Sequence, residues 1–346
     1  MLFPLLKYRK ILKYNEKDKM MNGYTEKMIK SFCRNKIDDL CKHISKKDKD
    51  LACELKSHCF VSGGAITSLL QGDMPNDYDI YIDDLNTLYK LCVYFTNEWN
   101  KEHTFKKLFE IVKHTPDGKE DDMYNVLDER EYVEIQVRSC GLAEDDDKEQ
   151  QDEYLPSSEI VKEIDDVKEK HDEKYKVKCI TSNAISLSDD IQIVCRFCGN
   201  PEEIFKNYDF VHTMQAYVRN DDKLLLNTKS LVSILCKRLE YQGSLFPICS
   251  LFRLRKFISR GWTISAVEIL KIAYQISKLN LDDIKTLKEQ CLGCDFFYMS
   301  QFVDALQKWR DDNPDVEFNS EYMFQLIEKV FDKDYSLNGE SNETEE

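Results

Sequence analysis

Two carboxylates, Asp77 and Asp79, stand two positions apart in the stretch CFVSGGAITSLLQGDMPNDYDIYI, which runs from Cys59 to Ile82. Side chains two apart on a strand share a face, so both acids project together while Tyr78 turns the other way. Adjacent carboxylates repel unless a cation sits between them, and hard oxygen donors suit Mg²⁺ or Mn²⁺. A divalent pair about 3.5–4 Å apart can activate an attacking hydroxyl and steady a leaving phosphate. Upstream, Gly63 and Gly64 lack the Cβ that would keep backbone N–H groups away from a triphosphate. Ser62 shares their turn. A short amphipathic helix from Ala65 to Gln71, closed by Gly72, aims its positive end at the same anion. Each piece alone is ordinary in a strand–turn–helix unit with an acidic strand end. Their conjunction in so short a stretch points to a metal-dependent nucleotide-handling site.

Such a turn needs a strand on either side, and the apolar runs Cys59-Phe60-Val61 and Tyr78 to Ile82 supply them. Ahead of it, Met28, Ile29, Phe32, Ile37, Leu40, Cys41 and Ile44 keep a helical spacing behind the cap residue Thr25. After it, Asp83 or Asp84 can cap a helix to Trp99 with Leu85, Leu88, Leu91, Cys92 and Phe95 on its apolar side. VEIQV, Val133 to Val137, alternates as a half-buried strand carrying Glu134. Residues 143–176 are dominated by Asp, Glu and Lys, which predicts a solvated, mobile insertion. Order returns with strands at Val177–Thr181 and Ile191–Phe197, the second after a turn at Leu187-Ser188-Asp189-Asp190. Pro201 opens a short helix with Glu202 and Glu203 in its first turn. From Thr228 the pattern is helical: Lys229–Tyr241, Phe246–Arg260, Ser265–Leu279, Asp282–Cys291, Phe296–Asp311 and Ser320–Phe331. Asn227 or Thr228, Ser265 and Ser320 serve as caps, Gly243 and Gly261 as stops.

The bulk composition limits the function classes. With 346 residues, 42% of them hydrophobic and 33% charged, the chain is long and apolar enough for two or three globular domains. No run approaches the roughly 18 apolar residues of a membrane span. The opening MLFPLLKYRK is too short an apolar segment for a secretion signal, so a cytoplasmic protein is expected. The 13 cysteines are scattered, odd in number and mostly embedded in apolar runs, as buried thiols in a reducing compartment are. A zinc site wants two Cys-x-x-Cys pairs within about 20 residues; Cys195/Cys198 and Cys291/Cys294 lie far apart. The net charge of −15 argues against non-specific affinity for long nucleic acid. Basic residues nonetheless concentrate at Lys229, Lys237, Arg238, Arg253, Arg255, Lys256 and Arg260. Arg253, Lys256 and Arg260 share a helix face, which can hold triphosphate or an RNA backbone, or pair with the chain's own acids. His212 either titrates or packs as a structural histidine.

The stretch SGGAITSLLQGDMPNDYDIYI resembles the signature of the nucleotidyltransferase superfamily, with its DNA polymerase β-like fold. Within it the look is nearest to the heads of tRNA nucleotidyltransferases and bacterial poly(A) polymerases, where Leu-Leu-Gly ends the helix, as Leu69-Leu70 and Gly72 do here. Ile66-Thr67-Ser68 stands where the tRNA enzymes have Val-Arg-Asp. PEEIFKNYDFVHTMQAYV, Pro201 to Val218, is similar to the family's segment ending in Arg-Arg-Asp-Phe-Thr: Asp209 and Phe210 match, and Lys206 and Asn207 stand near the arginine positions. SLFRLRKFISRGWTI, Ser250 to Ile264, resembles the neck, through Arg253, Lys256, Phe257 and Gly261-Trp262. The resemblance covers Cys59–Ile82 well and Ile191–Ile264 in part.

The resemblance implies an α+β fold: a head of mixed β-sheet with flanking helices, then an all-α neck and C-terminal helical region. Taken with the helical spacing ahead of the motif and the polar, acidic C-terminal composition, it divides the chain into a helical lead-in (1–50), a head (51–226) with the acidic insertion at about 143–176, a helical neck and C-terminal domain (227–335) and a disordered acidic tail (336–346). It implies Mg²⁺- or Mn²⁺-dependent transfer of NMP from an NTP to an acceptor hydroxyl on an RNA 3′ end, a small molecule or a protein. Asp77 and Asp79 would hold the metal, Ser62, Gly63 and Gly64 the triphosphate, and Arg253 and Lys256 its charge. The family's third carboxylate is expected on a neighbouring strand, but Gln192 stands there; Glu134, Asp209 and Asp190 are the candidates to replace it. Gln192 also favours the alternative, a catalytically inactive nucleotidyltransferase fold that binds nucleotide or serves assembly.

Overall fold

The computed structural model describes residues 23–102, 107–114, 132–139, 174–181 and 183–281, with single positions at 283, 286, 290, 306 and 308. Helix α1 (Glu26–Ile44) starts at Thr25, whose hydroxyl accepts the Met28 N–H at 3.4 Å, and buries Ile29, Cys33, Ile37, Leu40 and Ile44. Helix α2 (Lys49–His58) is capped by Asp48, which accepts the Leu51 N–H at 2.9 Å. Strand β1 (Cys59–Ser62) enters the sheet fully buried. Helix α3 (Gly64–Gln71) stops at Gly72, whose φ of 89° is a left-handed position that glycine takes without penalty. Strand β2 (Tyr78–Ile82) follows. Helix α4 (Leu85–Glu102) begins where Asp84 accepts both the N–H and the hydroxyl of Thr87, each at 2.7 Å, and turns Leu88, Leu91, Cys92 and Phe95 inward.

Strands β5 (Val177–Ile180), β6 (Ala184–Leu187), β7 (Ile191–Cys198), β8 (Gln215–Val218) and β9 (Lys223–Leu226) complete a seven-stranded mixed sheet ordered β5-β6-β7-β2-β1-β8-β9. Its neighbours are antiparallel except for β2 and β7. Strands β3 (Lys107–His114) and β4 (Tyr132–Ser139) form a separate antiparallel pair, through which Val133 and Ile135 join the main core. Val61, Tyr78, Ile80 and Ile82 pack into the core shared with α1, α2 and α4. Phe60, Tyr81 and Ala216 face the other way, against Ile204 and Phe205 of the short helix α5 (Pro201–Phe205). A one-residue slip of β2 would exchange the two sets, so the apolar alternation fixes the face on which Asp79 emerges.

Beyond the sheet, α6 (Thr228–Cys236), α7 (Pro247–Ser259) and α8 (Ala266–Ile276) gather around Phe210, Ile234, Leu239, Tyr241, Leu254, Trp262 and Ile272. Asn227 and Ser265 cap α6 and α8 as the sequence predicts. Phe210, carried by the head's Asp-Phe segment, is fully buried in this second cluster. A fully buried side chain of that size is worth about 3 kcal/mol, so one residue goes far toward holding the two parts together.

The chain is therefore α+β, a mixed sheet with flanking helices followed by a helical part. The helical part is not all-α. Lys237 turns to a left-handed φ of 46°, ending α6 five residues before the predicted Tyr241. Arg238–Leu239 (β10) then pairs in parallel with Thr263–Ile264 (β11). The β8–β9 hairpin, β3 and β6 were likewise not foreseen. The acidic insertion save its last residues, the tail, Cys291 and Cys294, and the last two predicted helices save isolated positions lie outside the described residues. No helix among those residues is long and apolar enough to cross a membrane.

Candidate active site

Main-chain pairing brings the two halves of the glycine–aspartate motif together. In the antiparallel β1–β2 ladder Ser62 lies opposite Asp79, and Gly63 follows at once. Gly63 has φ 83° and ψ −142°, a conformation that side chains rarely tolerate. A Cβ there would stand 3.4 Å from Asp79 Oδ2 and 3.5 Å from the Tyr208 hydroxyl oxygen. The positive φ is what reserves this position for glycine, and the turn lies against the carboxylate at ordinary contact distance. Gly64 is the opposite case: it opens α3, is exposed, and has nothing within 4 Å of where a Cβ would sit. No side chain caps α3, which leaves its leading N–H groups without a side-chain acceptor.

Asp77 lies exposed just ahead of β2, and Asp79 is half-buried within it. Burial, and next the charge of Asp77, push the Asp79 carboxyl up to about 6, while Lys256 and Arg253 act in the opposite direction. A divalent cation would reverse the first two effects, and the donors fit one. Mg²⁺ commonly takes one or two carboxylates and completes its shell with water and substrate phosphate. Among the described residues no three His, Cys, Asp or Glu side chains converge into a fuller protein cage.

Behind the turn runs a buried polar network. Ser62 is fully buried; its hydroxyl donates to the Gln215 carbonyl and accepts from Tyr208, both at 2.7 Å. That hydroxyl is committed inside the protein, so only the Ser62 backbone adjoins the cradle. Gln215 Nε2 donates to Ser230 Oγ, and Thr67 Oγ1 donates to the His212 carbonyl at 2.9 Å. His212 is buried with its ring 4.5 Å from Phe257 and 4.4 Å from Trp262, centroid to centroid. Burial pulls its pKa down to about 4, against a smaller upward pull from Asp209, so the ring is neutral near pH 7 and packs as a structural residue.

The basic helix reaches the head through Asp209. This buried acid accepts from Arg253 Nη1 at 2.8 Å and Ser250 Oγ at 3.1 Å, and its other oxygen takes the Phe210 N–H at 3.0 Å. Arg253 and Lys256 are thus set near enough to Asp79 to act on its charge. Gln192 is the register partner of Asp79 in β7, so an amide occupies the position beside the acidic pair. Asp190 is exposed and lies 3.7 Å from Lys36. Glu134 lies opposite Val112 in the β3–β4 pair, which is hydrogen-bonded separately from the seven-stranded sheet but has β4 packed against β7, the strand that carries Gln192. The fold therefore gathers Ser62, Gly63, Gly64, Asp77, Asp79, Arg253 and Lys256, with Asp209 behind Arg253. Sequence reasoning missed Tyr208 and Gln215. Tyr208 precedes the matched Asp-Phe pair, but nothing in its type announced a hydroxyl beside Gly63.

A family model described as Gabija anti-defense 2 family protein matches residues 31–237. A protein named Gabija anti-defense 2, from Bacillus phage SPbetaL7, is 27% identical over 142 residues, which cover 40% of this chain and 34% of that protein. The chain thus matches about a third of that curated relative's length. Among solved structures, a Thermotoga maritima CCA-adding enzyme complexed with tRNA aligns at 11% identity and a TM-score of 0.31, over 86% of this chain and 62% of that one. A CCA-adding enzyme with ATP aligns at 12% identity and a TM-score of 0.35, over 86% and 60%.

Proposed function

The chain belongs to the Gabija anti-defense 2 family, and from its site we propose that it is a metal-dependent nucleotidyltransferase. The observation that carries this reading is the placement of the positive-φ Gly63 turn beside Asp79. A glycine-only turn packs against one of two neighbouring acids at the uncapped start of α3. Triphosphate chemistry needs this juxtaposition, backbone donors for the phosphates beside carboxylates for their counter-ion.

In the proposed reaction the acceptor oxygen attacks the α-phosphorus of an NTP. The bond from that phosphorus to its bridging oxygen breaks, and pyrophosphate leaves with the electron pair. Asp77 and Asp79 would hold the divalent ion, Mg²⁺ or Mn²⁺. When bound, it neutralises phosphate charge and lowers the pKa of the attacking hydroxyl. The N–H groups from Gly63 and Gly64 onward orient the phosphates. Arg253 and Lys256 neutralise the triphosphate or the acceptor, with Asp209 fixing Arg253. Glu134 is retained as the candidate third carboxylate and general base. The acceptor is an RNA 3′ end, a small molecule or a protein, and the family's name sets such an activity in counter-defence against Gabija.

A second reading, a nucleotide-binding or assembly module without turnover, is favoured by Gln192 beside Asp79. Labelled NTPs offered with Mg²⁺ and with total cellular RNA and protein separate the two. Transfer of label by the wild type, and its loss in an Asp77→Asn, Asp79→Asn double variant that stays folded, supports the enzyme. Mg²⁺-dependent NTP binding without transfer supports the module. No NTP binding at all ends both.

A further inference from the structure

Tyr208 follows α5 and stands beside the Gly63 turn, close enough to Asp79 to feel its charge. Its backbone is fixed from both sides of the chain: its N–H donates to the Phe205 carbonyl at 3.3 Å, and Gln242 Nε2 donates to the Tyr208 carbonyl at 2.7 Å. Its ring is half-buried against Tyr81 and Phe205, with centroids 6.3 and 6.1 Å away. Its hydroxyl lies beside the turn, 3.5 Å from where a Gly63 Cβ would lie. A rigid ring held in this way delivers one polar atom at low entropic cost.

That atom is hydrogen-bonded to Tyr81 as well as to Ser62, and the bond to Ser62 is one it can give up. Tyr208 donates to Ser62 Oγ, whose own proton already goes to the Gln215 carbonyl. If Tyr208 turned its proton elsewhere, Ser62 would lose one accepted bond and keep its donated one, a small loss. A phosphate oxygen entering beside Gly63 is a far better acceptor than a serine hydroxyl, because charge-assisted bonds are about twice as strong as neutral ones.

We infer that the Tyr208 hydroxyl is a phosphate-binding group of the cradle, switching its hydrogen bond from Ser62 to a non-bridging oxygen of the incoming triphosphate. The inference rests on the nucleotidyltransferase reading and adds to it a residue that positions the substrate. The rival role is a strut, in which Tyr208 only braces Ser62.

Tyr208→Phe removes the hydroxyl and keeps the ring. Isothermal titration of wild type and variant with each NTP, and with inorganic tripolyphosphate, in Mg²⁺, reads the difference directly. The expected result is about tenfold weaker binding of the NTPs and of tripolyphosphate by the same factor. The shared factor locates the contact at phosphate rather than at base or ribose. Unchanged affinity in the variant, with only a lowered melting temperature, makes Tyr208 a strut and overturns the inference. Wild-type protein that binds neither ligand overturns the nucleotidyltransferase reading itself, a separate outcome. Should the phenylalanine variant not fold, Tyr208→His, which retains an N–H donor, is compared with Tyr208→Leu, which has none. Tighter binding by the histidine variant supports the inference, and equal binding refutes it.

Discussion

Replacing Gly63 by alanine tests the cradle without touching any charged group. At φ 83° and ψ −142° a non-glycine residue carries about 1–3 kcal/mol of backbone strain. The new methyl would lie 3.4 Å from Asp79 Oδ2 and 3.5 Å from the Tyr208 oxygen, ordinary contact distances that add little repulsion but cover part of a half-buried carboxylate. Against this, alanine narrows the unfolded ensemble by about 0.4–1 kcal/mol. The balance is a net loss of about 1–2 kcal/mol. Gly64→Ala is the internal control, since that position has no positive φ and open space around the missing Cβ. It should be neutral or up to about 1 kcal/mol stabilising. Urea unfolding reads both as shifts in midpoint at unchanged slope. Each methyl would intrude on the proposed phosphate path, so Mg²⁺-NTP affinity should fall in both variants while only Gly63→Ala loses stability. A Gly63→Ala variant as stable as its Gly64→Ala counterpart would refute the closed-turn geometry, and with it the contact on which the site assignment rests.

Asp209→Ala strips Arg253, Ser250 and the Phe210 N–H of a buried partner; because Arg253 is partly exposed, the expected loss is about 2 kcal/mol, below the roughly 3–5 kcal/mol of a fully buried pair. Thermal unfolding measures it, and NTP affinity should drop in parallel as Arg253 loses its place. His212 sets a pH dependence: its folded pKa of about 4 lies below the unfolded value of about 6.5, so the unfolded chain binds the extra proton between them. Stability is full above about pH 6.5 and falls as pH drops toward 4, by up to about 3 kcal/mol; His212→Phe should flatten that slope in urea titrations across the window. The Asp77→Asn, Asp79→Asn pair should abolish Mg²⁺-dependent binding or transfer with little change in midpoint, since burial and mutual repulsion already disfavour the charged form of Asp79.

The local units were legible where one physical cause dominates. Thr25, Asp84, Asn227 and Ser265 cap the helices they were expected to cap, because a short polar side chain before an apolar period has few other uses. Period-two alternation placed Tyr78 in the core and Asp79 on the opposite face. Pairing between distant segments was not legible. β8, β9, β10 and β11 are short, and their partners rather than their composition make them strands. The same limit hid the site's depth. Serine beside a glycine turn reads as a phosphate ligand, yet its hydroxyl is taken by Gln215 and Tyr208, residues 153 and 146 positions away.

Distance in the chain also governs the charge at Asp79. The effects that disfavour its ionised form are local, burial in β2 and the neighbour Asp77; those that favour it, Lys256 and Arg253, arrive on α7. α7 is fastened to the head by Asp209, so the helical part helps to set the protonation of a carboxylate on the sheet. Gln192 bears on the same balance. An acid at its register position would add a further negative neighbour to a group that burial already pushes up, and would need a bound cation to be tolerated. An amide there relieves the metal-free fold of that repulsion and gives up one hard ligand in exchange. Stability without metal and avidity for it are thus opposed at one position, and this chain carries the residue that favours the former.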